Sequence, residues 1–289
     1  MKTIATINFK GGVGKTTVTW CLGEIISRIS KKVLMFDLDA QMSLTQAIAF
    51  NEEGTPFKNF IEWQNKNIEH KKTIFDALDQ FTKPSPHFDF VVGYDFVYQI
   101  TDSYHFIPSI EDLYWLELEV FERSTVKEFI RRLLAKIDNS NLPKYDVALF
   151  DCPPSFGLLS YSVLSCCNLV LIPVNPDFYA AKGLNLLMNS LRMRIEPFPI
   201  PKIGVFMNKA KKSGGRSHRR YSQETERYLD DVKEIVKNAA TQNKIKAKVF
   251  DTTIPERVGI KRAVQEGIPI DLKQPFQDLW KEIEEFTNE

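Results

Sequence analysis

The stretch Lys10-Gly11-Gly12-Val13-Gly14-Lys15-Thr16-Thr17 decides the fold prediction for this chain of 289 residues. It follows an apolar, β-branched run, Thr3 to Asn8, and precedes a segment whose apolar residues recur at helical spacing. Glycines let backbone N–H groups turn toward phosphate oxygens, and the N-terminus of a helix adds partial positive charge. The strand before and the helix after favour a phosphate-binding loop over a flexible glycine turn.

Individual side chains of the loop predict how a nucleotide would be held. Lys15 supplies a full positive charge for the β and γ phosphates, and the Thr16 hydroxyl can join a magnesium shell. Phe9 occupies the position of the usual first glycine, and a second lysine, Lys10, follows it. The predicted nucleotide-binding residues of this loop are Lys10, Gly11, Gly12, Val13, Gly14, Lys15, Thr16 and Thr17.

The rest of the chain alternates apolar runs with helical spacing, which predicts an α/β fold with a doubly wound, mostly parallel sheet flanked by helices. The strand candidates are Thr3–Asn8, Val33–Phe36, Val147–Phe150, Leu169–Val174, Ile203–Met207 and Val249–Ile254. Helical stretches are expected near 121–138, 182–195 and 222–240. Residues 51–105 are hard to assign, and we interpret them as excursions from the same domain. The prediction is therefore one domain over residues 1–289.

Carboxylates follow two of the predicted strands, at the sheet edge where ligands bind. Asp39 is predicted to be the hydrolytic residue, because a carboxylate near the γ-phosphate can orient water. Asp37 is either a supporting group or a helix cap. Asp151 ends the apolar run Val147–Phe150, where an aspartate can hold magnesium through water. The predicted metal-site residues are Thr16, Asp39 and Asp151.

The loop resembles the deviant Walker A box of the ParA and MinD family of P-loop ATPases. The segment from Phe36 to Gln41 resembles the family's DxDPQ box, with Ala40 replacing the proline, and the segment after Phe150 resembles its DxPP box. Three further segments, beginning at His105, Ile172 and Thr253, also match, so the resemblance runs from residue 1 to about residue 272. The chain is most similar to the short ParA and Soj-like group.

This resemblance implies ATP and Mg²⁺ as ligands and a homodimer closed by Lys10, which would reach the partner's phosphates. The implied catalytic residues are Lys10, Lys15 and Asp39. Asn208 sits where relatives hydrogen-bond the purine, although a cap or turn asparagine remains an alternative. Asn208 is followed by Lys209-Ala210-Lys211, which departs from the guanine-binding NKxD box and favours ATP over GTP.

Charge is balanced overall, with 38 Lys and Arg against 37 Asp and Glu, so any polyanion-binding surface must be local. The stretch 209–220 carries six basic residues and no acid. It is either a DNA-binding loop, a solvated loop or a lid over nucleotide phosphate. The DNA-binding candidates are Lys211, Lys212, Arg216, Arg219, Arg220, Lys261 and Arg262.

These features predict an ATP-hydrolysing partition or positioning protein that is cytoplasmic and nucleoid-associated. Its expected partners are a second copy, non-specific DNA and a stimulating adaptor protein. No apolar run reaches the ~20 residues of a membrane span, and residues 271–289 carry six acids against two lysines, so no membrane partner is expected. The alternative is a regulatory or metabolic ATPase of the same fold without DNA binding. A reductase that bridges a metal cluster is disfavoured, because Cys166 and Cys167 lie near an apolar strand.

Overall fold

The computed structural model describes residues 1–49, 62, 65, 73–83, 96–195, 199–211, 221–256 and 270–289. Its strands are β1 (Lys2–Thr6), β2 (Val33–Asp37), β3 (Tyr98–Thr101), β4 (Tyr104–Ile107), β5 (Val147–Asp151), β6 (Leu169–Val174), β7 (Lys202–Met207) and β8 (Ala247–Val249). Its helices are α1 (Lys15–Ser27), α2 (Ser43–Ala49), α3 (Ile74–Thr82), α4 (Leu113–Glu119), α5 (Phe129–Asp138), α6 (Leu158–Leu164), α7 (Phe178–Ile195), α8 (Gln223–Asn243) and α9 (Ile270–Asn288). A 3₁₀ helix covers Ser124–Glu128.

The described strands form one sheet in the order β3-β4-β2-β5-β1-β6-β7-β8. Every neighbouring pair is parallel except β3 with β4. The prediction of a mostly parallel sheet flanked by helices is therefore confirmed. Because β1 lies between β5 and β6, the loop that follows β1 emerges in the middle of the carboxyl edge, where the strand order reverses.

Helices cover both faces of the sheet. Successive residues of a strand point to opposite faces, so strands that are apolar throughout need a helical layer on each face. Ile4 packs into the core that α1 and α9 cover, whereas Ala5 packs into the core on the other face. On that second face the rings of Phe36 and Phe150 stack with centroids 4.5 Å apart. Burial of such a side chain stabilises the fold by roughly 1.5–3 kcal/mol.

The last predicted strand is shifted, since β8 ends at Val249 and the prediction continued to Ile254. Contacts with helix α9 account for this early end of β8. The N–H groups of Asp251 and Thr252 donate to the Glu282 carboxylate of α9, at 2.8 and 2.7 Å, and not to the neighbouring strand. The regular ladder therefore stops, although the Ile254 N–H still donates to the Met207 carbonyl at 2.9 Å.

Residues 73–83 and 96–105, within the stretch that was hard to assign, contain α3, β3 and the start of β4. Thr73 caps α3: its hydroxyl accepts from the Asp76 N–H, and the Asp76 carboxylate accepts from the Thr73 N–H. This Thr-x-x-Asp pattern is a sequence signal that we missed. The helix predicted from residue 121 begins later, at Ser124 as a 3₁₀ turn and at Phe129 as an α-helix, because the chain turns after α4.

None of the helices in the described ranges is both long and apolar enough to cross a membrane.

Gly204 on β7 provides a test of this packing. A Cβ at Gly204 would come within 2.6 Å of two atoms of the buried Phe250 ring. We expect Gly204→Ala to lower the free energy of unfolding by about 1–3 kcal/mol, because the ring has to move. Urea denaturation measures this change.

Gly183→Ala in α7 is the matched control, since a Cβ there meets no atom within 4 Å. It should stabilise the protein by about 0.5–1 kcal/mol, as alanine does in a helix interior. Equal stability of the wild type and Gly204→Ala would contradict the close packing of β7 against Phe250.

Candidate nucleotide-binding site

The glycine-rich stretch forms the turn between β1 and α1. Gly12 and Gly14 have φ angles of +73° and +91°, in the left-handed region that favours glycine. Gly14 is the N-cap of α1, and the first helical hydrogen bond runs from the Val18 N–H to the Gly14 carbonyl at 2.9 Å. The N–H groups of residues 15–17 precede that ladder, so the helix N-terminus can receive an anion.

Two buried asparagines, Asn8 and Asn208, fix the phosphate loop by hydrogen bonds. The Asn8 amide donates to the Pro173 carbonyl at 2.8 Å, and its oxygen accepts from the Lys10 N–H at 2.9 Å. The Asn208 amide donates to the Val13 carbonyl at 2.7 Å. The loop is thereby tied to the ends of β6 and β7 before any ligand arrives.

Gly14 has no room for another side chain. A Cβ at this position would lie 2.6 Å from Asn208 Nδ2. Both the positive φ and the contact with Asn208 therefore require glycine at this position.

Two aspartates stand side by side at the carboxyl edge. Asp37 ends β2 and Asp151 ends β5, and the parallel register pairs them directly. Asp37 is fully buried and Asp151 is 1% exposed. The Asp37 carboxylate accepts from the Thr45 N–H and hydroxyl, both at 2.8 Å. The Thr16 hydroxyl lies close enough to the Asp151 carboxyl group to lower its pKa.

This burial changes how both carboxyl groups titrate. Burial raises the pKa of Asp37 to about 7, although the hydrogen bonds from Thr45 and Asp39 oppose the shift. Burial and the neighbouring Asp37 charge also raise the pKa of Asp151 well above its ordinary range, against the lowering influence of Thr16 and Lys15. The chain itself therefore supplies too little positive charge to keep both carboxyl groups ionised at their ordinary pKa.

The donor set fits a magnesium ion. Among the described residues, the buried Oδ1 of Asp151 has no hydrogen-bond partner, and the Thr16 hydroxyl and the positive charge of Lys15 act on the same carboxyl group. The described residues contain no group of three or more His, Cys, Asp or Glu side chains that could hold a metal ion. Magnesium commonly uses one or two carboxylates and completes its shell with water and substrate phosphates, which agrees with this arrangement.

Asp39 lies in the turn that follows β2, outside the buried pair. Its N–H donates to Asp37 at 3.1 Å, and its own carboxylate accepts from the Gln41 N–H at 2.9 Å. Asp39 is partly exposed, so it can meet water or a phosphate. Its hydrolytic role and its place in the metal site stay predictions.

Lys10 and Lys15 differ in their surroundings. Lys15 is 8% exposed at the start of α1. Lys10 forms an ion pair with Asp177, with 2.5 Å between Nζ and Oδ2, and both side chains are about one-third exposed, at 36% and 33%. The loop therefore holds one lysine inside the site and one at its rim.

The basic stretch is described only at its first residues. The Lys209 ammonium donates to the Gly12 carbonyl of the phosphate loop at 2.5 Å. Lys211 is exposed, and its carbonyl accepts from the Ser222 N–H at 2.9 Å. The remaining predicted DNA contacts lie outside the described residues: Lys212, Arg216, Arg219, Arg220, Lys261 and Arg262.

All four cysteines are free thiols. Cys21, Cys152 and Cys167 are buried, and burial raises the pKa of each thiol. Burial also raises the pKa of Cys166, which is partly exposed, to about 11. Buried thiols of high pKa are poor nucleophiles and poor metal ligands.

Comparison with known proteins identifies this arrangement. A family model described as an AAA domain matches residues 1–197. The chromosome-partitioning ATPase Soj of Treponema pallidum is 27% identical over 269 residues, which cover 93% of this chain and 88% of that protein. The sporulation initiation inhibitor protein Soj of Bacillus subtilis is 27% identical over 290 residues, which cover 98% of each chain. The chain belongs to the ParA and Soj family of P-loop ATPases.

Solved structures agree with this assignment at the level of the fold. Cyanothece McdA without nucleotide has a TM-score of 0.73 and 23% identity, and the match covers 98% of this chain and 99% of that chain. The ATP complex of Cyanothece McdA also has a TM-score of 0.73, at 20% identity, and covers 98% of this chain and 96% of that chain. The resemblance to the ParA, MinD and Soj ATPases that the motifs predicted is therefore confirmed.

Three residues in or near this candidate site were not predicted from the sequence. Asn8 was assigned to a strand, although an amide at the end of an apolar run is a signal for a buried polar contact. Asp177 carried no signal, because its pairing with Lys10 spans distant parts of the chain. Glu117 of α4 accepts from the Leu159 N–H of α6 at 2.9 Å, and burial followed by the Asp39 charge raises its pKa.

Asp37 gives the nucleotide-free protein a pH-dependent stability. Its pKa is about 7 when folded and 3.8 ordinarily, so the folded chain binds more protons than the unfolded chain between those values. The free energy of unfolding should therefore fall as pH rises through this window, and the raised pKa of Asp151 acts in the same direction. Urea denaturation in EDTA at a series of pH values measures the slope.

Asp37→Asn should reduce this slope, because it removes the Asp37 carboxyl group and also the Asp37 charge that raises the pKa of Asp151. Asp138→Asn is the control, because the Asp138 side chain is 66% exposed. Parallel slopes for the wild type and Asp37→Asn would show that another group causes the pH dependence.

Proposed function

We propose that this chain is an ATP-hydrolysing partition or positioning protein that acts as one domain over residues 1–289. The observation that carries the proposal is the buried pair Asp37 and Asp151, since Thr16 and Lys15 of the phosphate loop act on the Asp151 carboxyl group and one Asp151 oxygen has no hydrogen-bond partner among the described residues. The Soj relatives are named as a chromosome-partitioning ATPase and a sporulation inhibitor, and McdA was solved as an ATP complex. These names support ATP as the substrate and hydrolysis as the reaction.

Each residue of the site has a role in this proposal. Backbone N–H groups of the loop from Lys10 to Thr17 would hold the phosphates, and Lys15 would neutralise their charge. Thr16 and Asp151 would hold Mg²⁺, which would supply positive charge to offset the negative charge that develops on the phosphates. Asp39 would orient the attacking water from its partly exposed turn. Asn208 would present its remaining amide capacity to the base.

Lys10 would join two copies of the chain around the nucleotides. Its side chain is partly exposed, so it can leave the chain's own surface. In this structure it is paired with Asp177, and closing a dimer would exchange that carboxylate for the partner's phosphate oxygens. Charge-assisted contacts to phosphate are stronger than an exposed ion pair, which favours the exchange once ATP is bound.

The proposed dimer binds non-specific DNA through the basic stretch 209–220 and is released when ATP is hydrolysed. A contact with DNA phosphates by lysine and arginine is independent of sequence and weakens with salt, which suits a nucleoid-associated, cytoplasmic protein. Lys211, the described candidate of this stretch, is exposed as such a contact requires. An adaptor protein would stimulate hydrolysis and couple the cycle to its cargo.

One observation favours the second candidate function, a regulatory or metabolic ATPase without DNA binding. The first lysine of the basic stretch, Lys209, contacts the Gly12 carbonyl of the phosphate loop. The stretch would then close over nucleotide phosphate and have no role in DNA binding. A variant of the stretch separates these candidates.

DNA retention tests the first candidate directly. Non-specific duplex is titrated with wild type and Lys10→Ala in ATP, in ADP and without nucleotide, at low salt. We expect ATP-dependent retention by the wild type, and loss of retention in Lys10→Ala because the dimer cannot close. Lys144→Ala, which removes a lysine with a 71% exposed side chain elsewhere, should behave like the wild type. Absence of ATP-dependent retention by the wild type would rule out the partition proposal.

A basic-stretch variant supplies the second arm of this experiment. Replacing Lys211, Lys212, Arg219 and Arg220 by alanine should weaken retention and flatten its dependence on salt while ATP turnover persists. Loss of both ATP turnover and DNA retention would mean that the stretch serves the nucleotide, and it would favour the alternative function.

Asp177→Asn tests the role of the pair with Lys10. An ion pair this exposed contributes about 0.2–1 kcal/mol, so freeing Lys10 should lower the protein concentration needed for the ATP dimer by up to about fivefold. Sedimentation velocity in ATP measures the change. Asp79→Asn is the matched control, because Asp79 forms a 2.5 Å pair with Lys83 and is 32% exposed. A weaker dimer in Asp177→Asn would mean that Asp177 acts within the dimer.

A further inference from the structure

The short helix α4 and the turn after it expose four large apolar side chains. Leu113, Leu116 and Val120 of the same segment are buried and hold it on the core. The exposed residues are Tyr114 (55%), Trp115 (63%), Leu118 (53%) and Phe121 (69%), and we call them the aromatic patch. A helix with apolar side chains on both sides departs from the usual amphipathic pattern, and contiguous exposed apolar surface marks an interaction site.

The segment that bears the aromatic patch, residues 111–122, carries charge of one sign. Residues 111–122 contain five acids and no Lys, Arg or His, and the acids are Glu111, Asp112, Glu117, Glu119 and Glu122. Four of them are exposed, and Glu117 is partly exposed. Arg123 follows, but its guanidinium donates to the Thr82 carbonyl. The surface therefore combines apolar area with negative charge, and it fits a partner that combines apolar side chains with positive charge.

This charge argues against other occupants. A symmetric contact with a second copy would bring the same acids of both chains together, which is repulsive. DNA phosphates and anionic lipids would be repelled for the same reason.

The acidic rim also contacts the nucleotide-binding side of the fold. Glu117 accepts from the Leu159 N–H at the start of α6, the first helix after Asp151. The Asp39 charge acts on Glu117 and raises its pKa, in addition to burial. A ligand on the patch would therefore touch α4, whose Glu117 accepts a hydrogen bond from the first turn of α6.

We propose that the aromatic patch docks a basic amphipathic segment of the stimulating adaptor, and this inference rests on the proposed function for the identity of that adaptor. Trp115 and Phe121 supply the apolar anchors, and the acids around them select lysine and arginine. Aromatic anchors of this kind carry most of the energy of an interface.

The test uses two probes: a fluorescein-labelled amphipathic helix of lysine and leucine, and the same peptide with glutamate replacing lysine. Fluorescence anisotropy with the full chain, without nucleotide, measures their affinities. We expect the lysine peptide to bind, the glutamate peptide not to bind, and the affinity to fall with salt. Tryptophan emission should also shift to shorter wavelength on binding, and loss of this shift when Trp115 is replaced by serine would assign it to Trp115 among the four tryptophans.

Matched variants locate the binding site. Trp115→Ser with Leu118→Ser should lower the affinity for the lysine peptide by roughly tenfold or more. Leu186→Ser with Met193→Ser removes apolar side chains that are 60% and 80% exposed on α7, and it should leave the affinity unchanged. Glu119→Lys with Glu122→Lys keeps the apolar area and should weaken the preference for the lysine peptide, because three acids then face two lysines.

Three outcomes would overturn the inference: no binding by the wild type, equal affinity in both serine variants, or protein self-association that Trp115→Ser abolishes. Basal ATP turnover separates this failure from failure of the proposed function. Turnover without peptide binding would refute the docking surface alone. Peptide binding without turnover would refute the ATPase proposal and the adaptor's identity, while the surface itself would stand.

Discussion

The juxtaposition of Asp37 and Asp151 is the constraint on which the rest of the site depends. Parallel strands in register end together, so the two carboxylates are buried against each other with little solvent. Like charges in such a position are unfavourable unless hydrogen bonds or cations compensate them. Thr45 and Thr16 supply part of that compensation, and one Asp151 oxygen has none within the described residues. The fold thus holds two carboxyl groups of raised pKa beside a loop suited to phosphate, and a bound cation would stabilise their ionised forms.

Rigid and exchangeable contacts are divided between two sides of the phosphate loop. On the inner side, Asn8 and Asn208 fix the loop to strand ends through short, buried hydrogen bonds. On the outer side, the Lys10 pair with Asp177 is partly solvated, so it can be exchanged at small cost. A preformed loop lowers the entropy lost on binding phosphate, while an exchangeable lysine permits a change of partner.

The net charge of +1 is a sum that includes segments of strongly opposite charge. The basic stretch 209–220 and the acidic segment 111–122 lie at different places in the chain, and under the proposed function each would bind a different class of partner. Glu117 belongs to the acidic segment and also contacts α6, so one carboxylate joins the outer surface to the nucleotide-binding side. An assembly with two partners of different chemistry is compatible with a chain that is nearly neutral as a whole.

The sequence by itself determined the phosphate loop, the parallel sheet and the carboxylates that end its strands, because glycine conformation, β-branched runs and helical spacing are local properties. Only the tertiary structure decided that Asp37 lies against Asp151, that Asp177 holds Lys10, and that β8 stops where Glu282 takes its backbone donors. These contacts join residues far apart in the chain. Strand order and helix docking create them, and no local pattern encodes which distant side chain will be the neighbour.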